Sequence, residues 1–360
     1  MEETPSKPGS SELPVTPKGI TASWLSSVLG AKIKSIDITK IIWGTASKAL
    51  VTVTYDDGAG QDADRPTHIC VKGTFDPSVV EQAPFIVTMY QKEVDFFNIL
   101  APTLDHMKLP KVLWAGHSPK QGIVIMEDLA AQGLVFCDTK QDWPVSRVRQ
   151  GVEQLAALHA RTWGADPADY PWAASGYEAA LLTLVQNYDA ITRSPGRPQL
   201  PEGLRSRARV EAAMRKAYKA KSPRFRCVVH GDAHIGNTYL EAGGAPRFID
   251  FQIVMVGSAF HDVAYFVSGA LSVEDRRAHE WEVVDHYLDT LHRLGGPAFS
   301  SKDEEVRGEY LKCMIVGVGW ILCPTSFQSL DMINPMCVRH ATALDDHKVL
   351  ELIESLPDVE

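Results

Sequence analysis

The chain has 360 residues, 45% of them hydrophobic and 22% charged, and a formal net charge of −9. That length allows about two domains, and the composition is that of a folded globular protein. The acidic balance offers no basic excess for a nucleic-acid backbone or an anionic membrane, so neither is expected as a partner. A phosphate site stays open, because it needs only a few local cations and amides.

Residues 1–17 are rich in Pro and Ser and lack an apolar core. No secretory signal is expected there, and a flexible tail is predicted. The six cysteines, Cys70, Cys137, Cys227, Cys313, Cys323 and Cys337, are scattered and not at metal-ligand spacing. They are expected as reduced, buried thiols of a cytoplasmic protein. No stretch reaches the roughly 18 apolar residues of a membrane span; the best candidate, Met314 to Cys323, is far too short.

In chain order, residues 18–30 read as a short helix ending at Gly30. Two β-rich runs follow, 36–43 and 49–55, with Asp56-Asp57-Gly58 as a turn. Residues 67–72 are apolar on both faces, the pattern of a central strand. A helix is predicted over 82–100 and a strand pair around 112–114 and 123–125. Beyond Glu127 helical periodicity takes over, with Val152, Leu155, Ala156, His159 and Trp163 on one face. Further helices are expected at 176–192, 203–220, 274–294, 303–322 and 338–355, interrupted by one β-rich island, 226–254. The expectation is an α+β chain: a tail over 1–17, a small β-rich N-terminal lobe over 18–127, and a larger, mainly helical C-terminal lobe over 128–360. The joint falls near Met126 to Leu129.

The β-rich island holds the chemistry. His230-Gly231-Asp232 leaves a short apolar strand, and Asn237 follows Asp232 by five residues. A hairpin turning at Gly243-Gly244 then returns toward Ile249-Asp250-Phe251. With those two glycines as the loop, Asn237 sits opposite Asp250, with Cβ atoms about 4.5–5.5 Å apart. Hard oxygen ligands converging beside Asp232 suit Mg²⁺. Asp, then Asn five residues on, then Asp-Phe-Gln reproduces the order of the protein-kinase catalytic loop and metal-binding Asp. Ile69-Cys70-Val71-Lys72 aligns with the strand lysine that contacts ATP phosphates. Glu93 shares a helix face with Met89, Phe96, Phe97 and Leu100; a carboxylate there needs a partner, and Lys72 is the natural one. Gly44 offers backbone approach to phosphates and Ser47 a hydrogen bond. Ile125-Met126-Glu127-Asp128-Leu129 falls between the lobes, where backbone groups are expected to read adenine. His159 reads as a satisfied core histidine, and His230 as bonded to the loop backbone.

HGDAHIGN followed by IDFQ resembles the aminoglycoside phosphotransferase and choline kinase superfamily, including its ecdysteroid-kinase-like branch. Supporting features are ICVK, the MYQKEVDFF helix, MEDL, LAALHARTWG and FHDVAYF, spanning roughly Gly44 to Asp262 in the family's order. The resemblance implies a bilobal protein-kinase-like fold and an ATP- and Mg²⁺-dependent kinase acting on a small-molecule hydroxyl. Carried over, it makes Asp232 the catalytic base and Asn237 and Asp250 the Mg²⁺ ligands. It places Lys72 on the phosphates with Glu93 as its partner, and adenine contacts at Glu127 and Leu129. His234 resembles a structural loop histidine, and Asp262 a helix-start aspartate that props the catalytic loop. Gln252 departs from the pattern by replacing the glycine of a DFG segment, which argues against a protein substrate. The expected acceptor walls are the 158–200 insert and helices after 260, with Trp320 and Asp331 as candidates, although Trp320, like Trp163 and Trp281, reads more readily as core than as acceptor pocket.

Two rivals stay open. A nucleotide-binding pseudokinase would be marked by loss of Asp232, Asn237, Asp250 or Lys72, and all four are present. An enzyme modifying protein side chains, or transferring AMP, would call for a glycine-rich loop or a long activation segment, and neither is seen. Monomer and dimer are both compatible with the sequence.

Overall fold

Residues 12–44, 47–56 and 65–358 are described by a computed structural model. They divide into two units. One holds the described residues up to Pro102 together with Pro110–Gly133; the other holds Thr103–Leu109 and the chain from Leu134 onward. The first unit thus runs past the expected joint, because its last strand is prolonged by a capped turn. Asp128 donates its N–H to the His68 carbonyl, and its carboxylate accepts from the N–H groups of Ala130 and Ala131.

The N-terminal unit begins with α1 (Ala22–Leu29), whose first turn is capped by the Thr21 hydroxyl accepting the Trp24 N–H at 3.1 Å. Gly30 ends it in the left-handed region at φ 63°. Strands β1 (Ile33–Ile42), β2 (Ser47–Tyr55) and β3 (His68–Gly73) follow, then helices α2 (Pro77–Gln82) and α3 (Phe85–Asp95), then β4 (Val112–Ser118) and β5 (Gln121–Glu127). The five strands form one antiparallel sheet in the order β1-β2-β3-β5-β4. β3 is central, and its double-sided apolar pattern is buried as predicted. Trp24 and Leu25 of α1 cover Val51, Val53, Ile69, Val71, Ile123 and Ile125.

The expected tail needs correcting on its described side. Leu13 packs on that core, and the Pro14 carbonyl accepts a hydrogen bond from the buried Gln121 side chain at 2.9 Å. Tertiary burial outweighs the disorder-favouring composition here. Residues 1–11, and Asp57 and Gly58 of the expected turn, lie outside the described residues.

The second unit contains β6 (Val135–Phe136), α4 (Val145–Arg161), α5 (Tyr177–Leu184), α6 (Tyr188–Thr192), α7 (Arg207–Lys219), β7 (Arg226–Val229), β8 (Thr238–Leu240), β9 (Pro246–Phe248), β10 (Met255–Ser258) and α8 (Ala259–Ala270). Next come α9 (Val273–Arg293), α10 (Glu304–Cys313), α11 (Val318–Ile321), α12 (Leu330–Asp346) and α13 (Val349–Ser355). α4 packs against α8 and α9, so its apolar stripe of Val152, Leu155 and Ala156 is fully buried. The predicted helix 176–192 is broken by a 3-10 turn at Val185–Asn187, and 303–322 by another at Met314–Gly317. The last helical region starts at Leu330, not 338, and carries Pro335 in its second turn. The absent proline N–H costs that helix one bond to the preceding turn, while its buried face, from Ile333 to Leu344, supplies the packing that holds it.

All six cysteines are free, but Cys137, Cys313 and Cys323 are only half-buried. Among the described residues no helix is long and apolar enough to cross a membrane.

Candidate active site

β7 delivers the chain into the loop His230–Asn237, and three contacts decide that loop's shape. Gly231 stands at φ 85°, and a Cβ there would lie 2.3 Å from the Ile253 carbonyl oxygen. Only glycine fits such a left-handed, close approach. Asp262, in the first turn of α8 and fully buried, accepts the N–H of His230 at 2.6 Å on Oδ2 and the N–H of Gly231 at 2.9 Å on Oδ1. His159 Nε2 lies 3.1 Å from the same Oδ2, and its Nδ1 lies 2.8 Å from the Tyr287 hydroxyl. Burial alone would raise the Asp262 carboxyl; the hydrogen bond and charge of His159, with His261 and His230, more than offset it and hold it below the usual carboxylate range.

His230 ties the loop to the next strand. Its Nδ1 accepts the Asp232 N–H at 3.3 Å, and its Nε2 donates to the Ile249 carbonyl at 3.0 Å. Burial depresses its pKa against the pull of Asp262 and Asp232.

At the loop's end Asp232 keeps 28% of its side chain exposed. Its Oδ2 accepts the Asn237 amide at 3.0 Å and faces His234 Nε2 at 3.5 Å; Oδ1 accepts the Tyr265 hydroxyl at 3.3 Å. Burial pushes its pKa up, but His234, His230 and the Asn237 amide outweigh that and bring it to about 2. His234 Nδ1 accepts the Gly236 N–H at 3.0 Å, which leaves Nε2 to carry the proton facing Asp232.

The hairpin register differs from the expected one by a single residue. Leu240 pairs with Pro246 and Thr238 with Phe248. The loop has three residues, Ala242-Gly243-Gly244, closed by Glu241 N–H to the Ala245 carbonyl at 3.0 Å, with Gly244 left-handed at φ 80°. Asn237 therefore faces Ile249, whose N–H donates to its carbonyl at 2.9 Å. Asp250 lies beyond the ladder with φ 70°. An aspartate in that region is uncommon and marks a constrained position. With its amide nitrogen turned to Asp232, Asn237 presents Oδ1 as an acceptor. One amide oxygen and one carboxylate suit Mg²⁺, which keeps waters and takes phosphate oxygens for the remainder. Among the described residues no three His, Cys, Asp or Glu converge as a metal site.

In the N-terminal unit, Lys72 on β3 donates to Glu93 Oε1 on α3 at 2.7 Å, with both side chains almost fully buried. Gly44 is exposed in the β1–β2 connection, whose Thr45 and Ala46 lie outside the described residues. The Ser47 hydroxyl donates to the Gly44 carbonyl at 3.3 Å and its N–H to the Tyr90 hydroxyl at 3.0 Å, so its donors are engaged within the unit. Glu127 ends β5 and pairs with Ile69 across the sheet; Leu129 is buried in the turn that follows.

Three residues lie near Asp232, of which the sequence reading named Trp320, for an acceptor wall, and not Tyr265 or His261 for this place. Tyr265 reaches its carboxylate, His261 Nε2 donates to the Gly231 carbonyl at 3.0 Å, and Trp320 packs edge-on against His234 at 5.2 Å. The spacing of Asp262 and Tyr265 carried a signal, since residues three apart share a helix face. Asp331, expected at an acceptor wall, is exposed and paired with Lys140 at 2.8 Å.

The antiparallel sheet with its Lys–Glu pair, and the helical unit with an Asp…Asn…Asp loop, define a phosphotransferase of kinase-like fold. Residues 79–297 match the phosphotransferase enzyme family, and the chain belongs to it. It is 24% identical over 324 residues to an uncharacterized kinase-like protein of Caenorhabditis elegans, covering 82% of this chain and 85% of the relative. Among solved structures it resembles the amicoumacin kinase hAmiN in complex with AMP-PNP, Ca2+ and Ami, at a TM-score of 0.51 and 14% identity over 83% of this chain and 85% of that one. It also resembles an ethanolamine kinase of Plasmodium vivax, at a TM-score of 0.49 and 13% identity over 89% and 82% of the two chains.

Proposed function

We propose that this protein transfers the γ-phosphate of ATP to a hydroxyl of a small molecule. The observation that carries the reading is the setting of Asp232, part-exposed and held by Asn237, His234 and Tyr265 with acceptor capacity to spare. In the step, the acceptor oxygen bonds to the γ-phosphorus and the Pγ–O bond to the β-phosphate breaks, giving ADP and a phosphate monoester. The acceptor's proton passes to Asp232 and from there to water. A carboxylate with a pKa of about 2 is a weak base. It acts mainly by orienting the hydroxyl and taking the proton late, which suits a loose, metaphosphate-like transition state.

Lys72, steadied by Glu93, would hold phosphate oxygens. Gly44 would let the backbone approach them, with Ser47 bracing that turn. Backbone groups at Glu127 and Leu129 would take the adenine. Asn237 and Asp250 would hold Mg²⁺, which when bound offsets charge on the phosphates. A small acceptor is favoured over a protein by the segment after Asp250. It lacks the glycine of a DFG turn, and β10 is already paired with β7 instead of forming a long activation loop. The solved structure named above at a TM-score of 0.51 is an amicoumacin kinase, so that compound belongs in the first acceptor panel.

The test is to incubate the protein with Mg²⁺ and γ-labelled ATP in a deproteinised metabolite extract, beside Asp232→Asn. Label in small molecules made only by the wild type supports the reading, and mass identifies the acceptor. Absence of ATP binding would refute it. Binding of Mg²⁺-ATP without transfer across broad extracts would favour the pseudokinase.

A further inference from the structure

We infer that Tyr265 is a positioning residue of the transfer, fixing the Asp232 carboxylate so that Oδ1 meets the acceptor hydroxyl. This rests on the phosphotransfer reading above. An ionised carboxylate has about four lone-pair directions, two on each oxygen. Those of Oδ2 face Asn237 Nδ2 at 3.0 Å and His234 Nε2 at 3.5 Å. Among the described residues, Oδ1 receives the Tyr265 hydroxyl alone, at 3.3 Å. The acceptor O–H therefore docks on Oδ1, next to the tyrosine oxygen, and Oδ1 receives its proton as the new O–P bond forms and the bond to ADP breaks. The terminal torsion of an aspartate is soft, so donors on both oxygens are what hold the carboxylate plane.

Tyr265 is itself locked. Its ring is 4% exposed and stacks on His340 at 5.2 Å and 21°. His340 is wedged between two glycines. A Cβ at Gly269 would lie 2.9 Å from its Nε2, and one at Gly317 would lie 2.6 Å from its Nδ1. Ser268 Oγ adds a contact to Nδ1 at 3.1 Å. The tyrosine ring cannot withdraw from Asp232 without displacing this packed imidazole. Supporting groups locked by packing are what keep a catalytic geometry within tolerance.

Tyr265→Phe keeps the stacked ring and removes the donor. We expect kcat to fall on the order of tenfold to a hundredfold, with KM for ATP and the melting temperature near those of the parent. Tyr265→Leu, which also loses the stack, should fall further. A readout independent of turnover is the Cζ resonance of ¹³C-tyrosine-labelled protein, assigned by its loss in Tyr265→Phe; Asp232→Asn should shift it. Parent-like kcat in Tyr265→Phe would overturn the inference. An active enzyme whose Tyr265 signal ignores Asp232→Asn would overturn it while leaving phosphotransfer standing. An inert wild type whose signal still responds would sink the phosphotransfer reading, and this role with it.

Discussion

Replacing Asp262 by Asn changes one atom and tests how the catalytic loop is held. The carboxylate accepts two backbone N–H groups and faces one imidazole nitrogen, all fully buried. If the Asn oxygen takes the place of Oδ2, it still accepts from His230 N–H and His159, now without charge. Its NH₂ then faces the Gly231 N–H, donor against donor. Hydrogen bonds to charged groups contribute roughly 1.5–3 kcal/mol each, and an unsatisfied buried donor costs about 1–3 kcal/mol. Together these place the loss at about 2–4 kcal/mol. At roughly 2–4 °C per kcal/mol for a unit of this size, the melting temperature should drop by about 5–15 °C. Differential scanning calorimetry reads the shift, and nucleotide-dependent turnover should fall with it, because His230 and Gly231 lead directly into Asp232. A melting temperature within about 2 °C of the parent would refute the claim that Asp262 is the loop's anchor.

The same group sets a pH signature. Its folded pKa lies below the ordinary 3.8, so near and below that value the unfolded chain binds the proton that the folded chain refuses. The stability it contributes is present above the unfolded value and lost as pH falls toward the folded one; urea midpoints between pH 3 and 6 should fall steeply at the acid end, and less so in Asp262→Asn. Gly231→Ala forces a side chain into a left-handed backbone 2.3 Å from the Ile253 carbonyl, which should cost at least about 2–3 kcal/mol; a purified variant melting like the parent would contradict the close approach. Lys72→Met removes the ammonium 2.7 Å from Glu93; breaking a buried pair from one side costs about 3–5 kcal/mol, and calorimetry should show that loss together with weakened ATP binding. Lys72→Met with Glu93→Leu should recover much of the stability and none of the activity. Asp232→Asn should abolish label transfer yet retain Mg²⁺-ATP binding by titration calorimetry; loss of both would assign Asp232 a structural role.

Local chemistry made much of this protein legible before any coordinates. The doubly apolar run ending in Lys72 and the helix stripe containing Glu93 each implied a buried charge, and two buried opposite charges in one unit have to meet. The Asp232…Asn237…Asp250 order pointed to phosphate chemistry, because such side chains are suited to Mg²⁺ and a hydroxyl, and the match to the phosphotransferase enzyme family agrees with that class. Tertiary structure decided the rest. The hairpin register turned on whether two or three residues close the loop, a choice made by Gly244 adopting a left-handed backbone, and it moved Asp250 off the ladder into a constrained turn. The supports of Asp232 come from segments far apart in sequence. His159, Asp262, Tyr265 and His340 converge through helix packing that periodicity predicts only one helix at a time. A helix stripe tells which residues go inside; which partner each one meets there depends on how the helices cross, and that is settled by the whole fold at once.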